Sequence, residues 1–385
     1  KDLEIILQNT NKFFKRQLIP FEILDNKQLL LKLSLVADRI FYLDNNLEGT
    51  TSKIKPTLFK FEFNKKLKIK HLYVENIFTN KFQKIKYSNE KGLVKSKNNY
   101  AIVDKYQKIT ELSGNIYINE TKIFNEEVVI RPGTNIFLKK GVSLIFKNKL
   151  IANGTISDPI NINQVKKNNH WGSVLLLGNK TKNSELKNIF LDGGSGGWVE
   201  NIRVIGMLSI HSSENITLEN ISIKNNAIYD DTMHIVYSKN IKIKNLNMTE
   251  IFSDGIDIDI SKNIEIENIS INSAKNDCLD FMQTEAIIKN SSFQKCSDKG
   301  ISIGENSNIQ ILSSTFSENN IAIESKDRSF VQIKNSNFTS NELVFSAYKK
   351  NWRYNGGGKI QSKNNIIFEN LNLQKADKHS TITIQ

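Results

Sequence analysis

Cysteine and proline are scarce in this 385-residue chain, with two and four copies. Cys278 and Cys296 alone cannot staple a disulfide scaffold or complete a zinc site, and no C-x-x-C or H-E-x-x-H motif accompanies them. They stand about four positions out of phase with the repeat described below, so they are expected to remain unbonded. With so little proline, and polar turns between very short strands, a sandwich built from hairpins fits poorly. No apolar run approaches the roughly 20 residues that span a bilayer, which excludes a helical membrane protein. Gly356, Gly357 and Gly358 before Lys359 lack the spacing of a phosphate loop. The chain has no initiator Met or visible signal peptide, and opens at Lys1-Asp2-Leu3 as a mature or excised fragment would.

What remains is ordinary globular composition: 39% apolar and 24% charged, too apolar for a disordered chain. The net charge of +13 is uneven, with 22 Lys and Arg against 13 Asp and Glu over residues 1–120, and 31 against 27 beyond. A basic front end suits an anionic polymer such as an acidic glycan or wall polymer. Nucleic acid is not expected, because Lys far outnumbers Arg and no recognition motif is present. Enrichment in Lys, Asn and Ile runs through the whole chain, as a biased genome would also produce.

An internal repeat of about 23 residues organises the rest. Asn-Ile recurs at Asn215-Ile216, Asn240-Ile241, Asn263-Ile264 and Asn308-Ile309, and a second ladder follows at Asn220, Asn245, Asn268 and Asn290. Between them lie alternating stretches such as Ile241-Lys242-Ile243 and Ile264-Glu265-Ile266, whose period of two means strands with one buried face. A coil of about 22–25 residues made of short strands is the unit of a right-handed parallel β-helix. Apolar residues then stack inward, and Asn stacks at corners, where it tolerates left-handed backbone and its amide bonds along the ladder. The leucine-rich-repeat frame is missing. The expected architecture is all-β: a small, basic, β-rich domain over residues 1–120, then a right-handed parallel β-helix over 121–385. In the first part, residues 58–63 and 67–72 alternate like strands, and residues 5–14 read as an amphipathic helix.

Aligned coils place acids in columns. Met233, Ile235, Ile256, Ile258, Leu279, Phe281, Ile301 and Ile303 point inward; His234, Asp257, Asp259, Asp280 and Ser302 point out between them. Ahead of the strands stand Asp231, Asp254, Asp277 and Lys299. Carboxylates stacked about 5 Å apart repel by a few kcal/mol at an effective dielectric near 20, so a cation, a shared proton or Lys299 must offset the cost. A shared proton is what acid–base cleavage of glycosides exploits. Ca2+ is the cation an all-carboxylate cluster suits, although no dedicated metal site is assigned.

Asp231-Thr-Met-His234-Ile, Ser253-Asp254-Gly255-Ile256-Asp257-Ile258, Asn276-Asp277-Cys278-Leu279 and Lys299-Gly300-Ile301-Ser302-Ile303-Gly304 resemble the active-site coils of polygalacturonases, glycoside hydrolase family 28. The family carries F-H-I, N-T-D-G-I-D, D-D-C-I-A-I and G-H-G-I-S-I-G-S in this order, and the match covers residues 231–305. The resemblance implies a parallel β-helix that hydrolyses acidic pectic chains with inversion. It also implies that Asp254 and Asp277 activate water. The family's general acid falls on Asn276, which cannot supply a proton, and its His falls on Lys299. Its R-I-K substrate clamp has no counterpart at Arg328. Asp257 or Asp280, on the same face, would have to replace the acid.

The expected site is therefore Asp254, Asp277, Asp257, Asp280 and Lys299 for chemistry. His234, Asp231, Asp259, Ser302, Trp352 and Arg353 are expected to bind substrate, the last two by stacking on sugar rings. Each has a plain alternative: His234 a surface ladder residue, Lys299 an ion-pair partner of Asp277, Gly300–Gly304 an ordinary strand, Trp352 a loop anchor. The expected function is a secreted or cell-surface, bacterial-type β-helix that acts on or binds polysaccharide, without cofactor. The alternatives are a non-catalytic adhesive module, and a cation-assisted lyase or epimerase in which Lys299 abstracts a proton.

Overall fold

The computed structural model describes residues 109–199 and 202–385, together with strands at 21–24, 28–31, 72–76 and 81–85. The chain divides into two compact units, residues 1–106 with 200–202, and residues 107–199 with 203–385. In the first, Phe21–Leu24 and Gln28–Leu31 pair antiparallel, as do Leu72–Asn76 and Lys81–Ile85, and a parallel contact joins the two hairpins. The expected helix at 5–14 and strands at 58–63 and 67–72 lie outside the described residues, except that Leu72 opens the Leu72–Asn76 strand.

The second unit is a right-handed parallel β-helix. Each coil gives one strand to an 11-stranded sheet and short strands to a 20-stranded sheet. Strands at Ile109–Leu112 and Asn115–Ile118 already pair with the following coil. The register follows the expected repeat: Asp231 pairs with Asp254, and His234, Asp257, Asp280, Ser302 and Glu324 stack in turn. Inward residues such as Ile256, Ile258, Leu279, Phe281 and Ile301 are fully buried, because one coil has no core until its neighbours close over it. Phe293, Phe316 and Phe338 form a continuous stack with centroids 5.2 and 4.9 Å apart.

Asparagine ladders mark the corners. Asn240 Nδ2 donates to Asn215 Oδ1 at 2.9 Å, and Asn240 Oδ1 accepts from Asn263 Nδ2 at 2.7 Å. Asn245 sits likewise between Asn220 and Asn268. All six residues, and Asn290, have positive φ, the region asparagine tolerates best after glycine. The first ladder ends at Asn263: Asn308 follows Glu285 in the stack, and neither has positive φ. Asn240→Ala is expected to cost about 1–3 kcal/mol in urea unfolding, because it loses the amide bonds and strains the backbone. Asn240→Gly, which keeps the backbone free, should cost less.

Buried polar ladders run parallel to these. Ser213, Ser238, Ser261, Thr284 and Ser307 each donate a backbone N–H to the hydroxyl of the next coil's residue, ending at Ser329. Asn319 and Asn341 relay the same pattern from Cys296 to Asn370. These bonds satisfy backbone groups where the coil turns away from the sheets.

The expectation for the cysteines is overturned: Cys278 and Cys296 are disulfide-bonded, with Cα atoms 5.5 Å apart. Ser297 N–H bonds to Ala274 O, so Cys296 stacks above Ala274, four residues before Cys278. A sharp corner lies between Ala274 and Cys278, and both cysteines face the interior across it. Four positions along the perimeter are a short distance through the core.

Candidate functional site

The acids head or line strands of the 11-stranded sheet. Asp254 Oδ1 accepts Asp277 N–H at 2.7 Å, and Asp277 Oδ1 accepts Lys299 N–H at 3.0 Å. The head column is thus a ladder of carboxylates bonded to the next coil's backbone. The glycines that follow have a packing reason: a Cβ on Gly255 would lie 2.4 Å from Cys278 O, and one on Gly300 would lie 2.6 Å from Ala322 O. Glycine lets successive coils close where the acids stack.

Asp231, Asp254 and Asp277 are buried, and Asp257, Asp259 and Asp280 half-buried. Burial, with like charges nearby, raises the carboxyls of Asp231, Asp254, Asp257, Asp259 and Asp277. Desolvation and the neighbouring Asp277 push Asp254 up to about 8. Burial takes Asp277 to about 7, although Lys299 pulls it back. Asp231 rises to about 7 for the same first reason, opposed by His234. Asp257 lies well above the usual carboxylate range and Asp259 is also raised, both chiefly through burial.

His234 is buried rather than a surface ladder residue. Its Nδ1 lies 3.1 Å from His211 Nε2, and its Nε2 lies 3.7 Å from Asp259 Oδ2. Lys299 Nζ lies 3.4 Å from Asp277 Oδ1 and bonds Asp298. Burial works against its charge, but Asp277 and Asp298 outweigh it and raise its pKa. A lysine so held is a cation and an ion-pair partner, a poor base for proton abstraction. Ser302 is fully buried and accepts a hydrogen bond from Lys326 Nζ at 2.8 Å. Trp352 is exposed on the loop after the Leu343–Tyr348 strand, with Arg353 5.9 Å from its ring centroid. Beside them, Tyr354 Oη lies 3.5 Å from Gln283 Nε2.

Four residues of this face were not among the expected ones. Glu324 stacks on Ser302, accepts from Tyr348 Oη at 3.1 Å and lies 3.8 Å from Lys326 Nζ. Burial lowers Lys326 less than Asp280, Glu324 and Glu305 raise it, so it stays charged. Burial lifts Glu305 to about 7. Continuing the Asp257–Asp280–Ser302 column by one more coil of 22 residues reaches Glu324, with Lys326 beside it. Among the described residues, two groups of side chains have ligand atoms within 4.8 Å of one another: Asp231, His234 and Asp257, and Asp230, Asp231 and Asp254.

The raised carboxyls make stability depend on pH. Unfolded, Asp277 titrates near 4; folded, near 7, so between these values the folded state holds more protons. Its contribution is fully present below about pH 4 and is lost as pH rises toward 7, by up to about 1.4 kcal/mol per pH unit. Urea unfolding in chelator is expected to show lower stability at pH 8 than at pH 5, with a shallower fall in Asp277→Asn. An unchanged slope would contradict this.

Coils, sheets and stacked columns together define a right-handed parallel β-helix protein. Residues 206–373 match the family model described as a right handed beta helix region. No curated protein matches the chain. Among solved structures it is similar to the Dettilon tailspike protein, at 10% identity over 69% of this chain and 56% of that one, TM-score 0.42. It is also similar to a lacto-N-biosidase from Eubacterium ramulus, at 10% identity over 68% and 63%, TM-score 0.30. A pectate lyase gives 12% identity over 65% and 70%, TM-score 0.35. The chain thus spans little more than half of the tailspike and under two thirds of the biosidase. Among the described residues, no helix is long and apolar enough to cross a membrane.

Proposed function

We propose that this β-helix is a carbohydrate-active protein of the cell exterior, and that its acidic face cleaves a polysaccharide by general acid–base hydrolysis. The observation that carries the reading is the stack of six aspartates on one face, with Asp277 held protonated to about pH 7 by burial. Asn276 replaces the acid of the polygalacturonase pattern, so the proton must come from another group. Asp277 supplies it: its Oδ1 is engaged by Lys299 N–H, which fixes the carboxyl, and the other oxygen delivers the proton to the leaving oxygen. Asp280, which faces the Lys326 cation, takes a proton from the attacking water. Lys299 and Lys326 bind an acidic sugar. Trp352 offers a stacking surface for a sugar ring. The disulfide supports an oxidising, secreted or surface location.

The second reading is a non-catalytic glycan-binding module, favoured by Asn276 itself. A panel of neutral and acidic polysaccharides, scored for retained polymer and for new reducing ends, separates the two. Reducing ends from wild type but not from Asp277→Asn support hydrolysis; retention without cleavage supports the module; neither removes the polysaccharide reading.

A further inference from the structure

We propose that Asp231, His234 and Asp257 form a binding site for a borderline divalent transition metal, Zn2+ ahead of Ca2+, at one end of the acidic face. One ligand atom from each lies within 4.8 Å of the others, so a small side-chain adjustment brings them onto one ion. Among the described residues, Asp231 Oδ2 has no hydrogen-bond partner, although Asp231 is 1% exposed. A buried carboxylate oxygen left unpaired is costly, and a cation is the occupant that offsets the cost.

The imidazole is oriented for the same purpose. His234 Nδ1 is taken up by buried His211 at 3.1 Å, which directs Nε2 toward the carboxylates, with Asp259 Oδ2 3.7 Å away. A ligating histidine whose second nitrogen is tied to a fixed partner has the tautomer a metal requires. One imidazole and two carboxylates, leaving a position open, suit Zn2+, whereas Ca2+ takes oxygen ligands. The other group, Asp230, Asp231 and Asp254, is less suited. Asp230 is exposed and accepts from Ser253 Oγ at 2.7 Å, and Asp254 Oδ1 already holds Asp277 N–H. The site stands independently of polysaccharide cleavage, because its test reads metal binding alone.

The full chain, stripped with chelator and dialysed, is titrated calorimetrically with Zn2+ and separately with Ca2+, and its melting temperature is read with and without Zn2+. The expected result is one Zn2+ per chain, bound at least 100-fold more tightly than Ca2+, with a raised melting temperature. Asp231→Asn, isosteric and free of the unpaired charge, should weaken Zn2+ at least 100-fold while folding normally. His211→Phe, which removes only the orienting partner, should weaken it about 10–100-fold. Substituting Co2+ gives visible absorption bands that report nitrogen ligation, and His234→Gln should change them. Failure to bind Zn2+, tighter binding of Ca2+, or undiminished Zn2+ affinity in Asp231→Asn would each overturn the proposal.

Discussion

Asp277→Asn is expected to lower kcat/KM for polysaccharide cleavage by about 10^2–10^4-fold and to leave polymer binding within a few-fold. The amide keeps the acceptor that holds Lys299 N–H, so the coil retains its register, but it has no proton to give. Asp280→Asn should cost a similar factor by removing the water-activating base. The double variant should be little worse than either single one, since both act in one step. Reducing-end release from the responsive polymer measures these rates, and circular dichroism confirms that the β-helix is intact. A fully active Asp277→Asn would remove that residue from the chemistry.

Phe316→Ala is expected to destabilise the β-helix by about 3–5 kcal/mol in urea unfolding. Phe316 is fully buried between Phe293 and Phe338, and its loss opens a cavity that adjoining coils cannot collapse into, because hydrogen bonds above and below fix their spacing. It also contacts the position where Gly300 brings two coils together: a Cβ there would lie 3.2 Å from the Phe316 ring. The loss should therefore also loosen the Lys299–Gly304 strand and reduce any activity that depends on Lys299. A change below about 1 kcal/mol would mean that this stack is not the rigid part of the core.

Much of the architecture was legible because a solenoid writes its geometry into its spacing. Asp231, Asp254 and Asp277 stand 23 residues apart, and alternation in Ile256-Asp257-Ile258 decides which side chains point out. The same logic correctly placed Asn215, Asn240 and Asn263 at left-handed corners. Spacing was blind to distances through the coil. Cys278 and Cys296 are out of phase along the perimeter yet meet across a corner. The Ser213–Ser329 ladder was missed because a serine that satisfies backbone inside a turn looks, in sequence, like one exposed to solvent. His211 was missed because its partner, His234, is a diagonal neighbour: in the sheet register His211 faces Val236, and Ser209 faces His234. Glu324 and Lys326 needed only one more coil of the acid column.

The central physical claim is that coil stacking buries acidic side chains on one face and holds them protonated in the neutral range. Carbon-13 NMR of the Asp277 carboxyl, titrated in chelator with Asp277→Asn for assignment, tests it most directly. A midpoint near pH 7 is the predicted result. A midpoint near 4, as in a solvated aspartate, would contradict the account and with it the role of Asp277 as a proton donor.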